Sequence, residues 1–164
     1  MEKKKRIVTK IGNIFCVEIE NQYKCYFQYI ANDWEILNSS VIRVFKKHYP
    51  VDSTPSMEEI VNDEVYFYAH AILRIGILYE AWYKVGTSKN LGDTQNIMFR
   101  WYDDINTKYM TKSKKWCIWK IGEKREFIGE MRDEYKDYNL GIIFTYSDIV
   151  SKIATGDFGF KILD

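Results

Sequence analysis

Histidines and carboxylates are the side chains that most often move protons in catalysis, and this chain offers few histidines. The two are His48 and His70. If residues 65–85 form a two-strand hairpin, His70 lies opposite Glu80, a cross-strand pair that can satisfy a half-buried imidazole. The sequence places no serine or cysteine near this pair. We therefore expect a structural role for it and predict that the protein is not an enzyme.

Metal-binding and phosphate-binding motifs are missing from the sequence. It contains no His-x-x-x-His, no Cys-x-x-Cys, no calcium loop of alternating acidic residues and no glycine-rich phosphate loop. Asp103 and Asp104 are adjacent, but such a pair after a strand is typical of a turn with solvated charges. We therefore predict neither a metal nor a cofactor.

Aromatic residues are more abundant than one small core needs. They make up 16% of the chain, with 13 tyrosines and 5 tryptophans. Many must fill the core, but Trp and Tyr are also the side chains that anchor protein interfaces. The candidate partner-binding residues are Trp34, Trp101, Tyr102, Trp116 and Trp119, flanked by Asp103 and Asp104. With Lys112, Lys114 and Lys115 nearby, the same rings could instead stack single-stranded bases.

These side chains must be positioned by strands, and the first strands form a hairpin over residues 13–31. Pairing across Glu20-Asn21-Gln22 places Phe15, Val17, Ile19, Tyr23, Cys25, Phe27 and Tyr29 on one apolar face. Cys16 then points to the other face, so it cannot bond Cys25 without burying Lys24. We expect free thiols and a reducing compartment, the cytoplasm.

Residues 65–85 have two interpretations. Apolar residues at helical spacing allow one long helix. The many aromatic and β-branched residues favour two strands, and Arg74-Ile75-Gly76 would form the hairpin loop, with glycine in the left-handed position. We prefer the two strands.

The remaining elements are predicted from alternation and capping signals. Ser56 and Glu59 have capping-box spacing, so a helix begins at Met57 and continues toward Glu64. Ser147 can cap a second helix that ends at Gly156. Further strands are predicted at 41–46, 97–102, 116–121, 126–131 and 158–162, with a turn at Gly122-Glu123.

Length and charge limit the class of protein. A chain of 164 residues suits one domain over residues 1–164, and we predict an α+β fold with a twisted, mostly antiparallel sheet and about two short helices. Lys and Arg total 24 against 23 acidic residues, so no global field favours nucleic acid or a membrane surface. Arg74 and Glu80 interrupt the longest apolar stretch, which leaves no membrane span.

Two stretches resemble a known family. Gly12-Asn13-Ile14-Phe15 leads into a second strand with Tyr26-Phe27-Gln28, and Trp82-Tyr83-Lys84-Val85-Gly86 follows near mid-chain. These are similar to the Gly-Asp-x-Phe, Tyr-x-Tyr-x-Gln-like and Trp-x-x-Ile-Gly elements of the bacterial immunity protein 26 family, except that Asn13 replaces the usual Asp. The resemblance implies an α+β protein that binds and blocks a cognate toxin in the cytoplasm of the producing cell.

From this resemblance we predict an immunity protein that neutralises a toxin by occluding its active site. The alternative is a non-catalytic, β-rich module that binds a small ligand or nucleic acid through the same aromatic residues. A steep loss of oligonucleotide binding with salt would identify the nucleic-acid module.

Overall fold

The strands of the protein are divided between two sheets. The computed structural model describes residues 6–104 and 109–164. Within those ranges the first sheet contains β1 Asn13–Ile19, β2 Tyr23–Asp33, β3 Ser39–Phe45, β4 Val65–Ala71, β5 Tyr83–Thr87 and β10 Ile143–Phe144. The second contains β6 Met98–Tyr102, β7 Trp116–Lys120, β8 Glu126–Gly129 and β9 Asn139–Leu140. The strand orders are β10-β4-β3-β2-β1-β5 and β8-β7-β6-β9.

Short helices complete the fold. In the described residues they are α1 Met57–Val61, α2 Leu73–Leu78 and α3 Tyr146–Thr155, with 3₁₀ turns at Trp34–Ile36 and Asp133–Tyr135. The β10–β4 and β6–β9 pairs are parallel, and the other strand pairs are antiparallel. The predicted α+β class with mostly antiparallel pairing is confirmed, with the strands in two sheets and one helix more than predicted.

The N-terminal hairpin has the predicted register. Val17 lies opposite Cys25, and Phe15 lies opposite Phe27 and stacks on it with ring centroids 5.1 Å apart. Glu20 turns the chain with a positive φ of 48°. Cys16 points to the opposite face, and the cysteines are buried and free, as predicted. Local alternation was sufficient here because a register slip of one residue would expose the whole apolar face.

Hydrophobic clusters among the described residues hold the layers together, and three of them cover or join the two sheets as follows. On one face of the first sheet the hairpin packs against α2 and α3 through Phe15, Phe27, Leu73, Ile149 and Ile153. On the other face α1 covers Cys16 and Tyr26 through Ile60 and Val61. The third cluster joins the two sheets and contains Ile30, Ile36, Val41, Ile97, Phe99 and Trp119. Burial of these apolar side chains is the main favourable contribution to folding.

The hairpin predicted over residues 65–85 is wrong, and so is the single helix. β4 pairs with β3 and β10, while β5 pairs with β1, so the two strands never meet. Arg74-Ile75-Gly76 lies inside α2. Gly76 is needed there for space, because a Cβ at that position would lie 2.0 Å from Cε2 and Cζ2 of Trp82. The indole N–H of Trp82 in turn donates to the Leu73 carbonyl at 3.0 Å.

The predicted helix caps are confirmed at Ser56 and Gly156, and the predicted cap at Ser147 is wrong. Ser56 accepts the Glu59 N–H at 3.1 Å and begins α1, although that helix ends at Val61, before Glu64. α3 ends at Gly156 as predicted, with φ 86°, but Thr145 caps it in place of Ser147. Thr145 is favoured because Asp148 completes a capping box with it.

The last predicted strand, at 158–162, is wrong. The alternating rings there pack as a cluster and pair with no strand in the described part of the chain. Phe158 stacks on Phe144 of β10, with ring centroids 4.0 Å apart, and Phe160 lies 5.9 Å from Phe144. The Gly122 turn between β7 and β8 is confirmed, with φ 78°.

Candidate functional site

Three separate segments meet along one face of the second sheet. They are the 3₁₀ turn after β2, the end of β6 and the turn between β7 and β8. The Trp34 indole N–H donates to the Gly122 carbonyl at 2.8 Å, and the Arg125 guanidinium bridges Glu35 at 3.0 Å and Asp103 at 3.1 Å. We call this surface the Trp34 face and define it by Trp34, Asp103 and Arg125 together with two exposed residues close to them in sequence, Leu37 and Phe127.

A buried polar network lies beneath the Trp34 face. Asp33 Oδ2 accepts the Trp119 indole N–H at 2.9 Å and lies 2.9 Å from His70 Nε2, and Asp33 Oδ1 accepts the Glu35 N–H at 3.2 Å. Asp33 and His70 are fully buried, and Trp119 is 2% exposed. The carboxylate therefore ties β2, β4 and β7 together and also caps the turn that begins with Trp34.

The charge of Asp33 is stabilised by these donors. Burial alone raises the pKa of the Asp33 carboxyl, but hydrogen bonds from His70 and Trp119 outweigh it, so its pKa lies below the ordinary value. An ionised carboxylate accepts stronger hydrogen bonds than a neutral group. The network therefore fixes the relative position of the two sheets under the site.

The predicted His70–Glu80 pair is wrong. The partner of His70 is Asp33, because the strands that would have paired His70 with Glu80 lie far apart in the first sheet. Glu80 is instead in a turn after α2, with φ 57°. Since His70 is fully buried, its imidazole cannot reach a substrate in solvent. The geometry therefore assigns it a structural role.

Arg125 joins the parts of the Trp34 face and was not singled out from the sequence. Its guanidinium lies 5.0 Å from the centroid of the Trp119 ring, between Glu35 and Asp103. The Nε atom is at ion-pair distance from Glu35 but lacks the alignment of a hydrogen bond. A lone arginine after a turn carries no signal of this role, because both acidic partners come from distant parts of the chain.

The predicted partner-binding residues are divided between surface and core. Trp34 is 50% exposed and Asp103 is also exposed. Trp101 is half-buried and stacks on Tyr102, with ring centroids 4.5 Å apart. Asp104 is largely covered, accepts a hydrogen bond from Ser113 and lies 3.8 Å from Lys115. Tyr102, Trp116 and Trp119 are buried, so their rings hold the sheet and offer little area to a partner.

Two exposed hydrophobic residues of the Trp34 face were missed by sequence reasoning. Leu37 is 86% exposed and holds φ 53°, a left-handed conformation that costs a non-glycine residue about 1–2 kcal/mol. Phe127 is 68% exposed on the edge strand β8, opposite Cys117.

Within residues 6–104 and 109–164, no group of three or more His, Cys, Asp and Glu side chains is arranged to hold a metal ion. No helix in these ranges has the length and apolar character that crossing a membrane requires. The chemistry of the Trp34 face is therefore that of aromatic, aliphatic and paired charged groups.

The fold and this face define an α+β protein that presents side chains of the kind found in protein interfaces. The family model described as Immunity protein 26 matches residues 10–111, more than half of the chain. The chain belongs to this family, as the resemblance implied, and the match supports an immunity role in general. No curated protein and no solved structure matches it. Arg125 and Phe127 lie outside the matched residues.

Proposed function

We propose that this protein binds a cognate bacterial toxin and neutralises it by covering the toxin's active site, in the cytoplasm of the cell that produces both. It acts as one non-catalytic domain over residues 1–164. The observation that carries this proposal is membership of the Immunity protein 26 family. The burial of His70 agrees with it, because no accessible acid–base pair involves this imidazole.

The Trp34 face is the contact surface in this proposal. The Trp34 ring is half exposed, and its N–H is already bonded to the Gly122 carbonyl, so little side-chain entropy is lost when a partner covers it. Leu37 adds an apolar contact nearby. Asp103 and Arg125 provide a polar rim with both signs of charge. A fitting toxin surface has an apolar cleft for Trp34 and Leu37, bordered by charged groups.

The experiment is co-expression with the toxin encoded by the neighbouring open reading frame. We expect growth to fail without this protein and the two chains to purify as a complex. A neighbour that is harmless and does not co-purify would remove the proposed function and leave the ligand-binding module as the better interpretation.

Single substitutions then test the surface. Trp34→Ala should weaken toxin binding by about 2 kcal/mol, roughly 30-fold in Kd, measured by isothermal titration calorimetry. Leu37→Ala should weaken it roughly tenfold. Leu78→Ala is the matched control, because Leu78 is an exposed leucine on α2, outside the Trp34 face. If the complex forms and Trp34→Ala and Leu37→Ala bind like Leu78→Ala, the toxin uses another surface.

A further inference from the structure

A separate cleft is lined by residues outside the Trp34 face. It is a cleft of about 720 Å³ between β4, β9 and the chain after α3. Six aromatic residues line it: Tyr66, Phe67, Tyr68, Tyr138, Phe158 and Phe160. This volume lies within the range of about 300–1,000 Å³ that small-ligand pockets occupy. No residue of the Trp34 face lines it.

Arg100 is one of the polar groups in the wall of this cleft. Its Nε–H donates to the Tyr138 carbonyl at 3.2 Å, and its guanidinium lies 5.2 Å from the Trp116 ring centroid. In the described part of the chain no carboxylate lies within 4.0 Å of it. Burial lowers the pKa of Arg100, and Asp137 opposes that effect only in part. A half-buried guanidinium that forms no ion pair within 4.0 Å in the described residues can pair with an anion.

The other charges of the cleft limit what that anion can be. Lys152 already donates to the Gly156 carbonyl at 2.6 Å and lies over the Tyr66 and Phe158 rings at 5.6 and 5.3 Å. Asp137 and Asp157 are exposed and also line the cleft. These carboxylates would repel a polyanion such as a nucleic-acid backbone. A ligand with one anionic group and a flat apolar body satisfies both the guanidinium and the aromatic walls.

We propose that the Arg100 cleft binds a small planar molecule with a single carboxylate or phosphate group, which the Arg100 guanidinium pairs while the aromatic walls hold the ring. This site goes beyond toxin neutralisation and does not depend on it. Arginine suits the role because its planar fork pairs both kinds of anion in bidentate geometry. Trp116 beneath the guanidinium also makes ligand entry visible as a change in fluorescence.

The test uses the isolated full chain and three probes: adenosine 5′-monophosphate, uncharged adenosine and indole-3-acetate. Binding is followed by amide chemical shifts and by titration calorimetry. We expect saturable shifts at cleft residues such as Tyr68, Asn139 and Gly159 with a charged probe. Adenosine should bind at least about tenfold more weakly than its monophosphate, because it lacks the charge-assisted hydrogen bonds.

Arg100→Gln should reduce affinity for the charged probe about 10- to 100-fold. Arg132→Gln is the matched control, because Arg132 pairs with Glu134 on the surface and does not line the cleft. If Arg100→Gln fails to fold, the comparison of adenosine with its monophosphate on the unchanged protein decides alone. Absence of saturable binding by both charged probes, shifts mapped elsewhere, or equal affinity in folded Arg100→Gln would overturn the proposal.

Discussion

Replacing Asp33 by asparagine tests whether the buried network holds the two sheets together. The carboxylate accepts N–H groups from Trp119 and Glu35 and pairs with His70, all out of solvent. The side-chain amide of the Asp33→Asn variant keeps the shape of the carboxylate but replaces one oxygen by an NH₂ group. That NH₂ group then faces an N–H donor. Leaving a buried donor without its acceptor costs about 1–3 kcal/mol, and more where the lost acceptor carried a charge. We expect Asp33→Asn to lower the free energy of unfolding by this amount, from a total of about 5–15 kcal/mol. The measurement is urea denaturation followed by far-UV circular dichroism.

Two comparisons make the Asp33 prediction specific. Trp119→Phe removes one donor, and the double variant with Asp33→Asn should show a coupling of about 1–3 kcal/mol, because both side chains share one hydrogen bond. Asp52→Asn makes the same chemical change at an exposed site and should alter stability by less than about 0.5 kcal/mol. A cost below about 1 kcal/mol for Asp33→Asn, or additive single effects, would refute this account of the network.

Three further predictions follow from individual contacts. The pKa of Asp33 is lowered in the folded state, so ionised Asp33 stabilises the fold fully above its unfolded pKa of about 3.9. This contribution to the free energy of unfolding is lost as pH falls further. Denaturation curves of wild type and Asp33→Asn should therefore converge in acid. Gly76→Ala should destabilise the folded protein by about 1–3 kcal/mol in thermal unfolding, because the added Cβ meets the Trp82 ring, although alanine has the better helix propensity. Gly159→Ala should have almost no effect on stability. Burial raises the pKa of Cys25 to about 12, so a thiol reagent at pH 8 should modify Cys25 only after unfolding.

Elements defined by local signals could be predicted from the sequence. The β1–β2 hairpin follows from alternation because both strands bury one face of the same sheet. The caps at Ser56 and Gly156 follow from side-chain and backbone preferences within one turn. Residues 65–85 could not be predicted, since a glycine that permits a left-handed turn and one that makes room for an indole look alike. Only the packing of Trp82 on Gly76 shows which of these two roles the glycine has.

The candidate site was less predictable because its contacts join distant positions. Trp119 and Asp33 are 86 residues apart, and His70 and Asp33 are 37 apart. Composition correctly indicated that some aromatic rings lie at the surface, and Trp34 is one of them. It could not identify which tryptophans the two sheets enclose. Residue type alone likewise does not reveal an exposed Leu37, because leucine is normally assigned to the core.

In the proposed function, Asp33 connects stability with toxin binding, and the choice of variant separates the two effects. Asp33 caps the turn that begins with Trp34, so its loss should both destabilise the fold and disorder the Trp34 face. Leu37 is almost fully exposed, so its truncation removes contact area with little effect on folding. A variant at Leu37 therefore reports on the interface, whereas one at Asp33 reports on the support beneath it. If a toxin still binds the Leu37 and Trp34 variants but not the Asp33 variant, its binding requires the fold and not this surface.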